Sequence, residues 1–165
     1  MKLVQRLCIL GGLFFISCLS QANSPQNIYT TTLSIVSYVR WPTPTPVFCI
    51  AENENVLKGI SAIAHQRSFS IELLPIQLNQ LKTTHCDAVF FHDISATQEQ
   101  QFINSSLNKK LLSFSSSNSE CEIGSTFCLY TSRNGNSLFK VNLDSLSRSK
   151  LHVDPRVLLL ARNPE

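Results

Sequence analysis

Residues 46–73 read PVFCIAENENVLKGISAIAHQRSFSIEL, and this stretch decides the fold. Pro46-Val47-Phe48-Cys49-Ile50-Ala51 is a short continuous apolar run, the signature of a strand covered on both faces. Asn53 offers a side-chain oxygen to the free amides of a helix start, and Val56, Leu57, Ile60, Ile63 and Ala64 then share one helical face. Ser68-Phe69-Ser70-Ile71-Glu72-Leu73 alternates with the period of a strand. Strand, helix and strand in this order predict a parallel pair joined by a helical crossover.

The pattern continues downstream. Asp87-Ala88-Val89-Phe90-Phe91 is a second buried-strand run, followed by a polar helix over residues 96–107 and a strand over residues 110–114. Thr126-Phe127-Cys128-Leu129-Tyr130 and Ser137-Leu138-Phe139-Lys140-Val141-Asn142 flank Arg133-Asn134-Gly135-Asn136, and Asn-Gly between two such runs is a hairpin signal. Asp144 and Asp154-Pro155 each open a short helix, the last predicted to carry Val157, Leu158, Leu159, Leu160 and Ala161 into the core. Upstream, Ser24-Pro25 starts a helix bearing Ile28, Ile35, Val36 and Val39, which Pro42 stops at Arg40-Trp41. The expected fold is α/β: one compact domain with a mixed, mostly parallel sheet flanked by helices, a C-terminal hairpin and a short final helix.

The N-terminus carries an address. Lys2 and Arg6 precede an apolar run at residues 7–19, broken only by Gly11, Gly12 and Ser17, and Ser20-Gln21-Ala22 supplies a small-x-small cleavage site. This predicts a signal peptide over residues 1–22 and a mature domain over residues 23–165. The run is shorter than the roughly 20 residues a bilayer-spanning helix needs. The 165 residues are 43% hydrophobic and 15% charged, against about 25% charged in an average domain. Without Lys2 and Arg6, twelve cations face eleven acids. So small a net charge gives no field to gather nucleic acid.

With the leader removed, Cys49, Cys86, Cys121 and Cys128 remain. Four thiols in an exported chain suggest two disulfides with three possible connectivities. Cys121 and Cys128 lie in a polar stretch where a short loop can join them, which leaves Cys49 with Cys86. Zinc is disfavoured because no Cys-x2-Cys or His-x3-His spacing accompanies His85-Cys86-Asp87. Thiol redox catalysis would need Cys-x-x-Cys, which Cys121-x6-Cys128 is not. No Gly-x-Ser-x-Gly elbow or Gly-rich phosphate loop occurs, and no nucleophile, base and orienting group stand out together. The residues read as an exported binding domain with no catalytic residues, metal or cofactor. Candidate contact residues are Trp41, Phe127, Tyr130 and Phe139, with core burial the favoured reading for Phe139. A ligand crevice is the other candidate, at the carboxyl ends of the parallel strands near Ala51-Glu52 and His92-Asp93.

The order of landmarks carries a resemblance. Tyr38-Val39-Arg40-Trp41-Pro42 is followed by Phe48-Cys49-Ile50, Cys86-Asp87-Ala88-Val89-Phe90-Phe91 and Leu111-Leu112-Ser113-Phe114-Ser115. Phe139-Lys140-Val141-Asn142 and Val157-Leu158-Leu159-Leu160-Ala161-Arg162 close the series. In this the chain resembles the YfiR family of small periplasmic proteins, over residues 28–162. The resemblance implies a repressor that binds the periplasmic portion of an inner-membrane diguanylate cyclase and lowers cyclic di-GMP and biofilm formation. It also implies an outer-membrane lipoprotein antagonist, a homodimer, and disulfides in chain order, Cys49 with Cys86 and Cys121 with Cys128. If the short disulfide governs its loop, thiol state is a candidate input.

Overall fold

The computed structural model describes residues 27–161. The expected leader and the Ser24-Pro25 helix start lie outside the described residues. In chain order the elements are α1 (Ile28–Val36), β1 (Val39–Arg40), β2 (Val47–Ala51), α2 (Glu54–Gln66) and β3 (Glu72–Ile76). A 3-10 helix (Leu78–Lys82), β4 (Ala88–Phe91), α3 (Ala96–Ser105), β5 (Leu112–Ser115), β6 (Phe127–Thr131) and β7 (Ser137–Val141) follow. The chain closes with α4 (Leu143–Ser149), β8 (His152–Val153) and a second 3-10 helix (Pro155–Ala161).

Six strands form one sheet in the order β3-β2-β4-β5-β6-β7, and β1 pairs with β8 in a small antiparallel ribbon. Every pair in the large sheet is parallel except β6 with β7. The expected mixed, mostly parallel sheet with a terminal hairpin is therefore the observed one. Gly135, at φ 79°, supplies the left-handed residue of that hairpin turn.

Each central strand feeds two cores. Along β4, Ala88 and Phe90 join a cluster with Leu33 and Ile35 of α1 and Val56 and Ile60 of α2. Val89 and Phe91 face the opposite side, with Leu81 of the first 3-10 helix and, at its margin, Phe102 and Ile103 of α3. That is why the run from Ala88 to Phe91 is apolar without alternation. On the α1–α2 face an aromatic row crosses the sheet: Phe48 lies 5.6 Å from Phe114, Phe114 5.5 Å from Phe127, and Phe127 5.7 Å from Phe139.

Three sequence expectations are corrected. α1 ends at Val36, short of Arg40-Trp41, because the next residues are needed in the ribbon: Val39 registers with Val153 and Arg40 with His152. The strand expected over residues 68–73 begins at Glu72 and runs to Ile76. It pairs only with β2, and an edge strand tolerates Pro75, which has no amide to donate. The short helix expected at Asp144 is α4, with Asp144 in its first turn and Asn142 as its cap, accepting the Ser145 amide at 2.9 Å.

The last segment is a 3-10 helix, and three residues per turn put only every third side chain on one face. Val157 is buried and Leu160 packs on the core, while Leu158 and Leu159 are 54% and 60% exposed. Leu159→Ala is accordingly expected to change unfolding free energy by less than about 1 kcal/mol in urea denaturation, a surface effect. Asp154 fixes the start of this helix: its carboxylate accepts from the Arg156 backbone amide and guanidinium, which holds its pKa down to about 2.

Gly59 of α2 makes room for the ring of Tyr29 on α1. A Cβ there would stand 2.6 Å from Cδ2 of Tyr29, whose ring packs edge-on to Phe90. Gly59→Ala gains up to about 1 kcal/mol of helix propensity, but overpacking costs about 1–3 kcal/mol. Net destabilisation of about 1 kcal/mol, seen as a lowered melting temperature, is the expected result.

Candidate functional site

Both disulfides form as paired from the sequence: Cys49 with Cys86 and Cys121 with Cys128. The second closes a loop that leaves β5 and returns into β6, and buried polar groups shape it. Ser115 Oγ accepts from the amides of Ser117 and Asn118 at 3.1 Å each. Asn118 Oδ1 accepts the Cys121 amide at 3.0 Å, and its Nδ2 donates to Ile123 O at 2.7 Å and to Glu99 Oε2 at 3.2 Å.

Glu99, in the first turn of α3, is the anchor. It is fully buried, and its Oε2 also accepts the Ser125 amide at 3.0 Å. The approach is so close that a Cβ on Gly124, at φ 85°, would lie 2.7 Å from Glu99 Oε2 and 2.9 Å from Ala96 O. α4 clasps the loop from its other side. Asn142 Nδ2 donates to Glu122 O at 3.0 Å, and Ser145 Oγ donates to Gly124 O at 2.8 Å. Arg148 Nη2 reaches Gln100 Oε1 at 3.2 Å, the same oxygen that accepts the Gly124 amide at 3.2 Å.

Ile123 in this loop and Leu143 at the start of α4 are 48% and 70% exposed. Apolar side chains held outward by an ordered frame suit protein contact, because little further ordering is lost on docking. Glu99→Ala leaves the buried Ser125 amide and one Asn118 N–H without an acceptor, at about 1–3 kcal/mol each. We expect a loss of about 2–4 kcal/mol in chemical denaturation, with faster amide exchange confined first to residues 118–125.

The sequence did not mark Glu99. It stands in the polar run Ala96-Thr97-Gln98-Glu99-Gln100, which reads as a solvated face. Of the expected contact residues, Phe127 is fully buried and Phe139 nearly so, both in the aromatic row, so neither offers surface to a partner. That corrects the contact role of Phe127 and agrees with the core burial favoured for Phe139, since β6 and β7 turn these rings toward α1. Trp41 is half-buried against the same core, with its indole N–H donating to Val36 O at 3.1 Å. Tyr130 is 37% exposed near the hairpin.

The expected strand-end crevice is only half formed. A cavity of about 420 Å³ is lined by Glu52, Asn53, Leu57, Ile76, Gln77 and Gln80 among others, but not by His92 or Asp93. Glu52 stands at φ 51° immediately after β2, and its Oε1 accepts the Leu78 amide at 3.1 Å. His92 and Asp93 instead tie β4 to the loop after β5. His92 Nδ1 is 2.6 Å from Ser116 Oγ, and Ser117 Oγ accepts the Asp93 amide at 2.6 Å. Asp93 Oδ2 lies 3.3 Å from His92 Nε2. This sequence of serine, histidine and aspartate lacks the buried carboxylate that orients a catalytic imidazole, because the Asp93 side chain is 81% exposed. Among the described residues no group of three or more His, Cys, Asp or Glu is placed to hold a metal ion, and no helix is long and apolar enough to cross a membrane.

A mixed, mostly parallel sheet stapled by two disulfides, with a polar-anchored loop displaying apolar side chains, defines a small disulfide-stabilised α/β domain. The YfiR/HmsC-like family matches residues 26–162, nearly the whole chain, and the chain belongs to that family.

Proposed function

We propose that this protein is a periplasmic negative regulator that binds the periplasmic portion of an inner-membrane diguanylate cyclase and lowers cyclic di-GMP synthesis. Membership of the YfiR/HmsC-like family carries this reading. The two disulfides support an oxidising compartment, and the predicted cleavage after Ala22 supplies the route to it. The output is a protein contact, made through Ile123, Leu143, Tyr130 and the exposed edge of Trp41. An outer-membrane lipoprotein that covers the same surface relieves repression, and the working form is a homodimer. The thiol state of Cys121 and Cys128 is an input, because their bond closes the loop that carries Ile123.

The test is cyclic di-GMP measured in cells with and without the gene, with a photo-crosslinker placed at Ile123 or Leu143. A rise on deletion and a crosslinked cyclase support the proposal. An unchanged level with no cyclase captured overturns it. A second reading, a small-molecule binding module, is favoured by the cavity beside Glu52. A thermal-shift screen of periplasmic metabolites tests it, since a ligand at 100 times its Kd adds about 2.7 kcal/mol of stability.

A further inference from the structure

We propose that the cavity between α3, α4 and the amino ends of β5 and β6 binds a small anion carrying a phosphate group. It measures about 330 Å³ and is lined by Lys109, Arg148 and Lys150, with no aspartate or glutamate. None of these three cations is in an ion pair among the described residues. In a mature chain of nearly neutral charge, three such cations around one hollow are a concentration of field.

Helix ends account for part of this. α3 and α4 both finish at the cavity, and Lys109 Nζ donates to Asn104 O at 2.9 Å. Each helix C-terminus carries about half a negative charge. Two such ends offset part of the positive charge, and the remainder stays available to a ligand.

The floor points the same way. Ser113 and Thr126 line the cavity and are both 1% exposed. Ser113 Oγ accepts the Thr126 amide at 3.0 Å, and the two hydroxyl oxygens are 3.2 Å apart. Only one hydroxyl proton can lie between them. The other has no acceptor among the described residues, and a buried donor without an acceptor calls for one. Cationic walls with a guanidinium and a spare O–H at the floor select an oxyanion, and a phosphate group accepts from all of them.

The site is wired to the disulfide loop. Arg148 Nη2 contacts Ser145 Oγ at 3.0 Å and Gln100 Oε1 at 3.2 Å, and those two groups hold the carbonyl and the amide of Gly124. An anion that draws Arg148 toward the cavity therefore changes the polar clasp on the loop that carries Ile123.

The experiment is thermal unfolding of the mature protein in sodium phosphate against sodium chloride at equal ionic strength, with the Gly124 amide followed by NMR. A saturable rise in melting temperature specific to phosphate is expected, with a Gly124 shift that saturates at the same concentration. Lys109→Gln and Lys150→Asn replace exposed side chains and should each weaken binding at least tenfold without altering the fold. Vesicles of phosphatidylglycerol distinguish the source of the group. Pelleting of wild type that both variants lose assigns a lipid headgroup, and free-phosphate binding without pelleting assigns a soluble anion. Identical melting in phosphate and chloride with no pelleting, or undiminished binding by both variants, overturns the proposal.

Discussion

Phe127→Ala is expected to lower the unfolding free energy by about 3–5 kcal/mol. Phe127 is fully buried in the middle of the aromatic row, stacked on Phe114 and edge-on to Phe139. Truncating the ring deletes the transfer energy of a large side chain and opens a cavity between two rings fixed by neighbouring strands, so the hole cannot close cheaply. A domain of ordinary stability has only about 5–15 kcal/mol in total, so the variant loses a large share of its stability and its melting temperature falls accordingly. Tyr130→Ala, three positions on and 37% exposed, removes much less buried area and should leave the urea midpoint nearly unchanged. The pair separates core from contact: a wild-type midpoint for Phe127→Ala would mean that β6 is not a central strand.

The same comparison explains what sequence reading reaches in this chain. Buried parallel strands announce themselves, since both faces must be apolar, and the runs at Val47–Ala51 and Ala88–Phe91 are where the structure has strands. The Asn53 cap was equally legible: Asn53 accepts the Val56 amide at 3.0 Å. The end of α1 was not, because what stops it is a long-range pairing with β8 and not the nearby proline. The final helix was misread for a local reason. Leu158, Leu159 and Leu160 read as a uniformly apolar run, but consecutive residues of any helix point in different directions, and here the 3-10 turn brings Val157 and Leu160 onto the core side and leaves Leu158 and Leu159 outside. Glu99 was invisible because a buried carboxylate is defined by its donors, and those come from residues 118 and 125, brought back by the Cys121–Cys128 loop. Phe127 and Phe139 fall into the core for the complementary reason: in a sheet covered on the α1 side, aromatics are what fills the space between sheet and helix.

Replacing Cys49 and Cys86 together by Ala is expected to cost about 4 kcal/mol in urea denaturation, and replacing Cys121 and Cys128 together about 2.5 kcal/mol. The difference follows from loop length, since the bridges span 37 and 7 residues and the entropy removed from the unfolded chain grows with the logarithm of that span. The two losses should differ in kind as well as size. Cys49 lies in β2 and Cys86 just ahead of its neighbour β4, both fully buried, so their bridge secures a pairing that the sheet already makes and its loss is felt globally. The short bridge secures a loop whose other ties are hydrogen bonds to Glu99, Asn142 and Ser145. Its loss should leave cooperative unfolding intact and raise amide exchange chiefly around Gly124. If repression falls in that variant while the sheet keeps its protection, the loop is where thiol state enters the contact. If repression survives, the bridge is a staple and the contact surface tolerates a looser loop. Equal losses for the two pairs would mean that native-state strain, not chain entropy, sets the contribution of each bond.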